Sequence, residues 1–382
     1  MKIIIIGPAY PYRGGIAAFS ERLAHEFISE GHDATIFTFS LQYPSFLFPG
    51  KTQYVNGEPP DGLTIVRKVN SINPFNWISV ARTIRKQKPD MLIFKYWLPF
   101  MAPCFGTIAR IVRRNRRTKI ISIFHNVFPH EKRMGDKMFT KYFIKAIDGA
   151  IAMSKLTLND IFTFNKNIHA KLNPHPIYDN YGQLIGRDEA MKLLGFDSSF
   201  SYILFFGFVR KYKGLDLLIE AFANSGLRNK KIKLIVAGEF YDDDVFYKNM
   251  VAAYGLKDDI LFFDRFINNE EVSAFFSVAD IVAQPYRSAT QSGVTQVAYH
   301  FEKPMIVTNV GGLKEIVPDG KCGYVVEPDP DSIYRAISDF FANNRLHEFS
   351  NNVKEEKKKY SWSAMTTSLI EVYDKCSEYT TK

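Results

Sequence analysis

The chain has 382 residues, more than one ordinary domain holds and enough for two domains with full cores. Hydrophobic residues make up 46% and charged residues 23%, which excludes both a disordered chain and a membrane-spanning bundle. The net charge of +9 is uneven: residues 1–180 carry 25 Lys and Arg against 12 Asp and Glu, residues 181–382 carry 24 against 28, and the basic character therefore belongs to the first half.

In chain order, MKIIIIGPAY reads as a buried first strand, Lys2 to Ile6, because its apolar core is too short for a signal peptide. A Pro/Gly loop follows, then a helical pattern from Ala17 to Ser29 that ends at Gly31. Further strands are predicted at Ala34–Phe39, Met91–Lys95 and Lys119–Phe124. The longest uncharged apolar stretch, Tyr96 to Ala109, falls short of the ~20 residues of a spanning helix and is interrupted by Pro99, Pro103 and Gly106. Asn173-Pro174-His175-Pro176 continues neither a helix nor a central strand and marks a linker. The second half restarts with strands at Tyr202–Gly207, Lys233–Ala237, Ile260–Phe263, Ile281–Ala283 and Met305–Thr308, with a helix over Leu215–Ala223. Short apolar runs between amphipathic helices predict two doubly wound parallel sheets, which bind ligands beyond the carboxyl ends of their strands. Cys104, Cys322 and Cys376 lie far apart, so neither a disulfide framework nor a zinc site is expected, and a cytoplasmic setting fits. The 15% aromatic content fits contact with sugars or lipids, or simply a core rich in Phe.

Four loops can carry chemistry. In GPAYPYRGGIAAF, Gly14 and Gly15 directly precede a helix, so they either let backbone N–H groups approach an anion beside Arg13 or form an ordinary tight turn. The loop is not GxGxxG, which argues against a nicotinamide dehydrogenase. In the second, Gly207 to Asp216, Arg210, Lys211 and Lys213 stand among glycines at a helix start, a combination suited to a diphosphate; a basic surface turn is the alternative. The third, Gln284 to Gln296, is rich in small and amide side chains that suit phosphate oxygens or sugar hydroxyls, though glutamines also begin ordinary helices. In the fourth, Val310-Gly311-Gly312, turn geometry alone explains the glycines.

Taken in order, GFVRKYKGLDLLIEA (207–221), the Ala279-Asp280 pair, VGGLKEIV (310–317) and the closing Tyr360-Ser361-Trp362 resemble the group 1 retaining glycosyltransferases of the GT-B fold. The resemblance implies two Rossmann-like domains facing a central cleft. The first, residues 1–178 with 363–382, is the acceptor side; the second, 179–362, holds a nucleotide sugar; a C-terminal helix crosses back to the first. It implies transfer of a sugar from a nucleotide diphosphate sugar to a saccharide acceptor, lipid-linked in many such enzymes, with no metal and no cofactor beyond the co-substrate. Gly14, Gly15, Gly207, Thr290, Gln291, Ser292, Gly293, Val294 and Gln296 are the expected donor contacts, and ring selectivity is expected around Glu239, Phe266 and Gln291. Arg210 and Lys213 are expected to stabilise the departing diphosphate. His125, at the end of the strand Lys119–Phe124, matches a family histidine near the donor sugar, with His130-Glu131 a secondary candidate.

The chain departs from the family pattern twice. Phe208 stands where the family has an arginine, and Ala289 and Val297 stand where it has two glutamates, leaving Gln296 the nearest residue able to bond a ribose. These departures also admit a catalytically altered or inactive nucleotide-sugar-binding protein of the GT-B fold, and a nucleotide-sugar isomerase of the same architecture is a further alternative. Residues 95–119 join an apolar aromatic stretch to Arg110, Arg113, Arg114, Arg116, Arg117 and Lys119. The favoured partner for these is the inner face of an anionic membrane rather than nucleic acid, with a buried helix ending in a solvated basic turn as the alternative.

Overall fold

The computed structural model describes residues 1–44, 53–55, 57–128, 134–179, 181–228, 231–241, 243–289 and 292–378. Two units are resolved by their internal contacts: Met1–His175 with Trp362–Lys382, and Pro176–Ser361. The division falls inside the Asn-Pro-His-Pro segment, and Ile177 already donates its N–H to the Tyr360 carbonyl of the second unit (3.0 Å).

Among the described residues the first unit holds a seven-stranded sheet in the order β3-β2-β1-β4-β5-β6-β7, parallel throughout. Its strands are β1 (Lys2–Ile6), β2 (Asp33–Leu41), β3 (Thr64–Asn70), β4 (Met91–Tyr96), β5 (Lys119–Phe124), β6 (Gly149–Ala152) and β7 (His169–Leu172). The helices between them are α1 (Gly15–Ser29), α2 (Pro74–Gln87), α3 (Ala102–Arg113), α4 (Asp136–Ile144) and α5 (Lys155–Phe164). The isoleucine run of β1 explains the two cores, since side chains alternate across a strand. Ile4 and Ile6 pack with α2, α3 and α4, whereas Ile3 and Ile5 pack with α1 and the C-terminal helix.

The second unit carries a six-stranded parallel sheet, order β10-β9-β8-β11-β12-β13, again among the described residues. Its elements begin with α6 (Arg187–Leu194), β8 (Ser201–Phe206), α7 (Leu215–Phe222), α8 (Ser225–Arg228), β9 (Ile232–Ala237), α9 (Asp244–Ala253) and β10 (Ile260–Phe263). They continue with α10 (Asn269–Val278), β11 (Ile281–Gln284), α11 (Gly293–His300), β12 (Met305–Thr308), α12 (Leu313–Ile316), β13 (Gly323–Val326), α13 (Pro330–Ala342) and α14 (Leu346–Glu356). Both sheets reverse their strand order beside the first strand laid down, between β1 and β4 and between β8 and β11, which opens a crevice at the carboxyl edge.

The last helix, α15 (Trp362–Glu378), belongs to the first unit. Trp362 meets Phe19 edge-on at 4.8 Å, Ser368 Oγ donates to Asn173 Oδ1 at 2.9 Å, and Val372 lies so close to Gly149 that any side chain there would collide with it. The apolar stretch Tyr96 to Ala109 is internal: Tyr96, Met101, Cys104 and Phe105 are fully buried. Tyr96 and Phe105 fill the core between sheet and helices, and Trp97 and Phe100 pack against it half-buried.

Candidate functional site

The second unit gathers its sequence-flagged residues at the carboxyl ends of β8, β9 and β11. Gly207 ends β8 with φ 92°, and Gly238 ends β9 with φ 148°, where a side chain would strike the Gly207 carbonyl. The two loops are laced together: Val209 N–H donates to the Glu239 carbonyl (2.9 Å) and Tyr241 N–H to the Val209 carbonyl (3.1 Å). The Arg210 guanidinium lies 4.9 Å from the Tyr241 ring centre, and Phe208 packs on that same ring at 4.5 Å. Phe208 thus supports the platform under Arg210. Glu239 is buried between these loops. The next loop along joins them through Phe240 N–H, which donates to Asp264 Oδ1 (3.2 Å), and carries the half-buried Phe266.

Lys213 is the most informative residue of the group. Its side chain is 9% exposed, its Nζ sits beside Gly207 and 5.5 Å from the Tyr286 ring centre, and its N–H donates to the Arg210 carbonyl (2.8 Å). Burial, reinforced by the charge of Arg210, pushes its ammonium pKa down to about 8. Gly214 closes the turn in the left-handed region (φ 65°), with its Cα pressed against the Pro285 carbonyl. Arg287 is tied down separately, donating to Asp216 (2.5 Å) and through its N–H to the Tyr212 carbonyl (2.7 Å).

Ser292, Gly293 and Val294 open α11, with Val294 beside Gly207 and Ser292 Oγ 3.3 Å from the Tyr286 hydroxyl. Gln296 is fully buried in the same helix, and among the described residues neither end of its amide has a hydrogen-bond partner. The Nε2 of buried Gln284, which ends β11, is likewise unbonded, while its Oε1 accepts from Thr295 (3.0 Å). Ala289 and Val297, the counterparts of the family's glutamates, are both buried apolar residues. Thr290 and Gln291 lie outside the described residues, as do His130 and Glu131.

The remaining candidates are in the first unit. Gly14 caps α1 with φ 107° and Gly15 begins it; both are exposed. His125 follows β5, donates its N–H to the Tyr96 carbonyl (2.9 Å) and is 8% exposed. Its ring packs edge-on to Phe19 (5.5 Å) and 6.1 Å from that of His175. Burial first, then the charges of Lys95 and His175, hold its pKa well below the usual histidine value, so the imidazole is neutral.

Lys95 and His175 escaped the sequence reading. Lys95 is fully buried in β4 beside Gly7, its Nζ has no hydrogen-bond partner among the described residues, and it lies 2.9 Å from the centre of the Phe19 ring. Its signal was a lone lysine within the apolar run Leu92-Ile93-Phe94-Lys95-Tyr96-Trp97. The five arginines of the 110–117 cluster are mostly engaged. Arg110 stacks on Tyr142 (3.8 Å), Arg113 pairs with Asp148 (2.5 Å) and Arg117 with Asp90 (2.8 Å); Arg114 and Arg116 are exposed.

Comparison with known proteins matches these two halves separately. The profile described as Glycosyl transferases group 1 matches residues 186–360, and that described as Glycosyltransferase Family 4 matches residues 13–171. An uncharacterized glycosyltransferase of Methanocaldococcus jannaschii is 25% identical over 99% of each chain. Among solved structures, sucrose-phosphate synthase from Thermosynechococcus elongatus superposes with TM-score 0.77 at 15% identity, covering 98% of this chain and 99% of that one. Anabaena HepE in complex with UDP gives 0.75 at 14% identity, over 98% and 100%. The same protein with UDP-glucose gives 0.71 at 13%, over the whole of both chains.

Proposed function

We propose that this chain, which belongs to the group 1 glycosyltransferases and has their GT-B fold, moves a sugar from a nucleotide diphosphate sugar to a saccharide acceptor with retention of configuration. It is a transferase; the donor, the stereochemistry and the acceptor are the proposed part. The observation that carries the reading is the buried Lys213 beside Arg210, set against the backbone crossing of Gly207 and Gly238 at the sheet's crevice. Two cations and a close-approaching backbone suit a diphosphate, with arginine binding in bidentate fashion and lysine as a point charge. The UDP and UDP-glucose bound by Anabaena HepE support a nucleotide of this kind.

In the proposed reaction the bond from the anomeric carbon to the diphosphate oxygen breaks, and a bond to the acceptor oxygen forms on the same face. The acceptor's proton passes to the departing phosphate oxygen. Arg210 and Lys213 stabilise the charge that grows on the diphosphate, and no metal ion is invoked. Gln296 offers its unbonded amide to the ribose in place of the family's glutamate; Glu239 and Phe266, with Gln291, govern the sugar ring, and Ser292 to Val294 hold the diphosphate. The first unit takes the acceptor, with Gly14 and Gly15 at its helix start and neutral His125 as a hydrogen-bonding partner for the sugar. A lipid-linked acceptor at the cytoplasmic membrane, in surface polysaccharide synthesis, fits the basic first half.

The test is sugar transfer by Arg210→Ala and Lys213→Ala with a panel of nucleotide sugars. Losing a charge-assisted bond of about 1.5–3 kcal/mol lowers donor kcat/KM roughly 10- to 100-fold for each. Unchanged turnover in both variants overturns the diphosphate assignment.

A further inference from the structure

The surplus positive charge of the first half sits on one face of its sheet. Helices α2, α3 and α4 lie side by side over that face. Together with their flanks, residues 72–88, 102–119 and 134–145 hold thirteen Lys and Arg and a single acid, Asp136. Asp148 and Asp90 engage two of these, Arg113 and Arg117. The opposite face, covered by α1 and α15, is acidic, with Glu21, Glu26, Glu371, Asp374 and Glu378 against Arg22 and Lys375.

The basic face also exposes apolar side chains that the fold does not use. Phe75 is 85% exposed, and Met138 is 64% exposed. Phe75 and Ile78 line a shallow groove with Arg82 and Lys86 along the outer side of α2. Because α2 and α4 each follow a parallel strand, both begin at the carboxyl edge of the sheet. Phe75 with Ile72 and Met138 with Met134 therefore stand at the same edge, and Arg85, Lys88, Arg114 and Arg116 at the other. Exposed aromatic and methionine groups beside lysines and arginines are what a bilayer interface accommodates: the apolar tips enter the acyl boundary, and the cations meet anionic headgroups. A nucleic acid would use the charge but leave Phe75 and Met138 without a role.

We infer that the outer face of α2, α3 and α4 docks onto an anionic phospholipid bilayer, with Phe75 and Met138 inserting and Arg82, Lys86, Lys137 and Lys141 facing headgroups. The inference rests on the reading that the chain acts at a membrane, and it relocates the contact from the arginine cluster to the whole three-helix face.

Flotation with phosphatidylcholine vesicles, with and without phosphatidylglycerol, tests it, alongside transfer to a water-soluble acceptor as a control of the fold. The wild-type chain is expected to float with the anionic vesicles only and to be released by salt. Phe75→Ser/Arg82→Ala/Lys86→Ala and Met138→Ser/Lys137→Ala/Lys141→Ala should each weaken vesicle binding at least 25-fold, about fivefold per cation removed, with soluble transfer intact. Lys375→Ala, on the opposite face, should bind as the wild type does. If the wild type floats and both triple variants float equally well, the face is wrong while the membrane reading stands. If the wild type floats with no vesicle, both fall. Tighter binding to single-stranded RNA than to vesicles, unaffected by Phe75→Ser or Met138→Ser, would overturn the bilayer in favour of a polyanion surface.

Discussion

Two buried lysines show how position decides what a charge is for. Lys213 is poised near pH 8 and has Arg210 beside it, so an incoming diphosphate favours its protonated form. Above about pH 8 the free chain must take up a proton to bind, and nucleotide affinity should fall by up to tenfold per pH unit. Calorimetry across pH 7–10 checks this, and Lys213→Met should flatten the profile. Among the described residues Lys95 has neither an acid nor a hydrogen-bond acceptor at its Nζ, and burial holds its pKa well below the usual lysine value. Its folded pKa lies below the unfolded one, so unfolding takes up a proton over the interval between them, and stability rises with pH across that interval. Lys95→Met should remove the slope and stabilise the first unit at pH 7 by on the order of 1–3 kcal/mol, read from thermal melts. A destabilised variant would mean that the ammonium is charged and partnered.

At the scale of elements, the turn between β8 and α7 is fixed by Gly214. A Gly214→Ala side chain would meet the Pro285 carbonyl, and the left-handed backbone alone costs roughly 1–2 kcal/mol for a non-glycine residue. The variant should melt lower and bind nucleotide more weakly, because the shift displaces Lys213 on one side and Tyr286 on the other. Thermal melts with and without UDP measure both effects. The strands that sequence reading found, such as β1, β5 and β8, are continuous apolar runs buried on both faces. Those it missed are less plainly marked. β3 is an edge strand carrying Arg67 and Lys68 with only Val69 buried, β7 is half-buried throughout and carries Lys171, and β6 and β13 each begin with a glycine. Their pairing comes from neighbours already in place, not from their own composition.

At the scale of the whole molecule, the chain returns to its first unit after completing its second. Trp362, 3% exposed against Phe19, begins α15, which covers the α1 side of β5, β6 and β7. Trp362→Ala should cost the first unit about 3–5 kcal/mol, and ending the chain at Ser361 should leave that sheet face bare and sensitive to proteolysis. Limited proteolysis with mass mapping distinguishes cleavage in residues 1–175 from cleavage elsewhere. The sequence by itself determined the doubly wound sheets, the Gly207–Gly214 loop with its three cations and the uneven charge, because each is written in contiguous residues. Only the tertiary structure placed Lys95, His125 and His175 around one phenylalanine, tied Phe208 to the ring under Arg210, and buried the Tyr96–Ala109 stretch. It also gathered the positive charge onto one face of one sheet. Such groupings depend on which strand lies beside which, and strand order is set by packing between residues far apart in the chain.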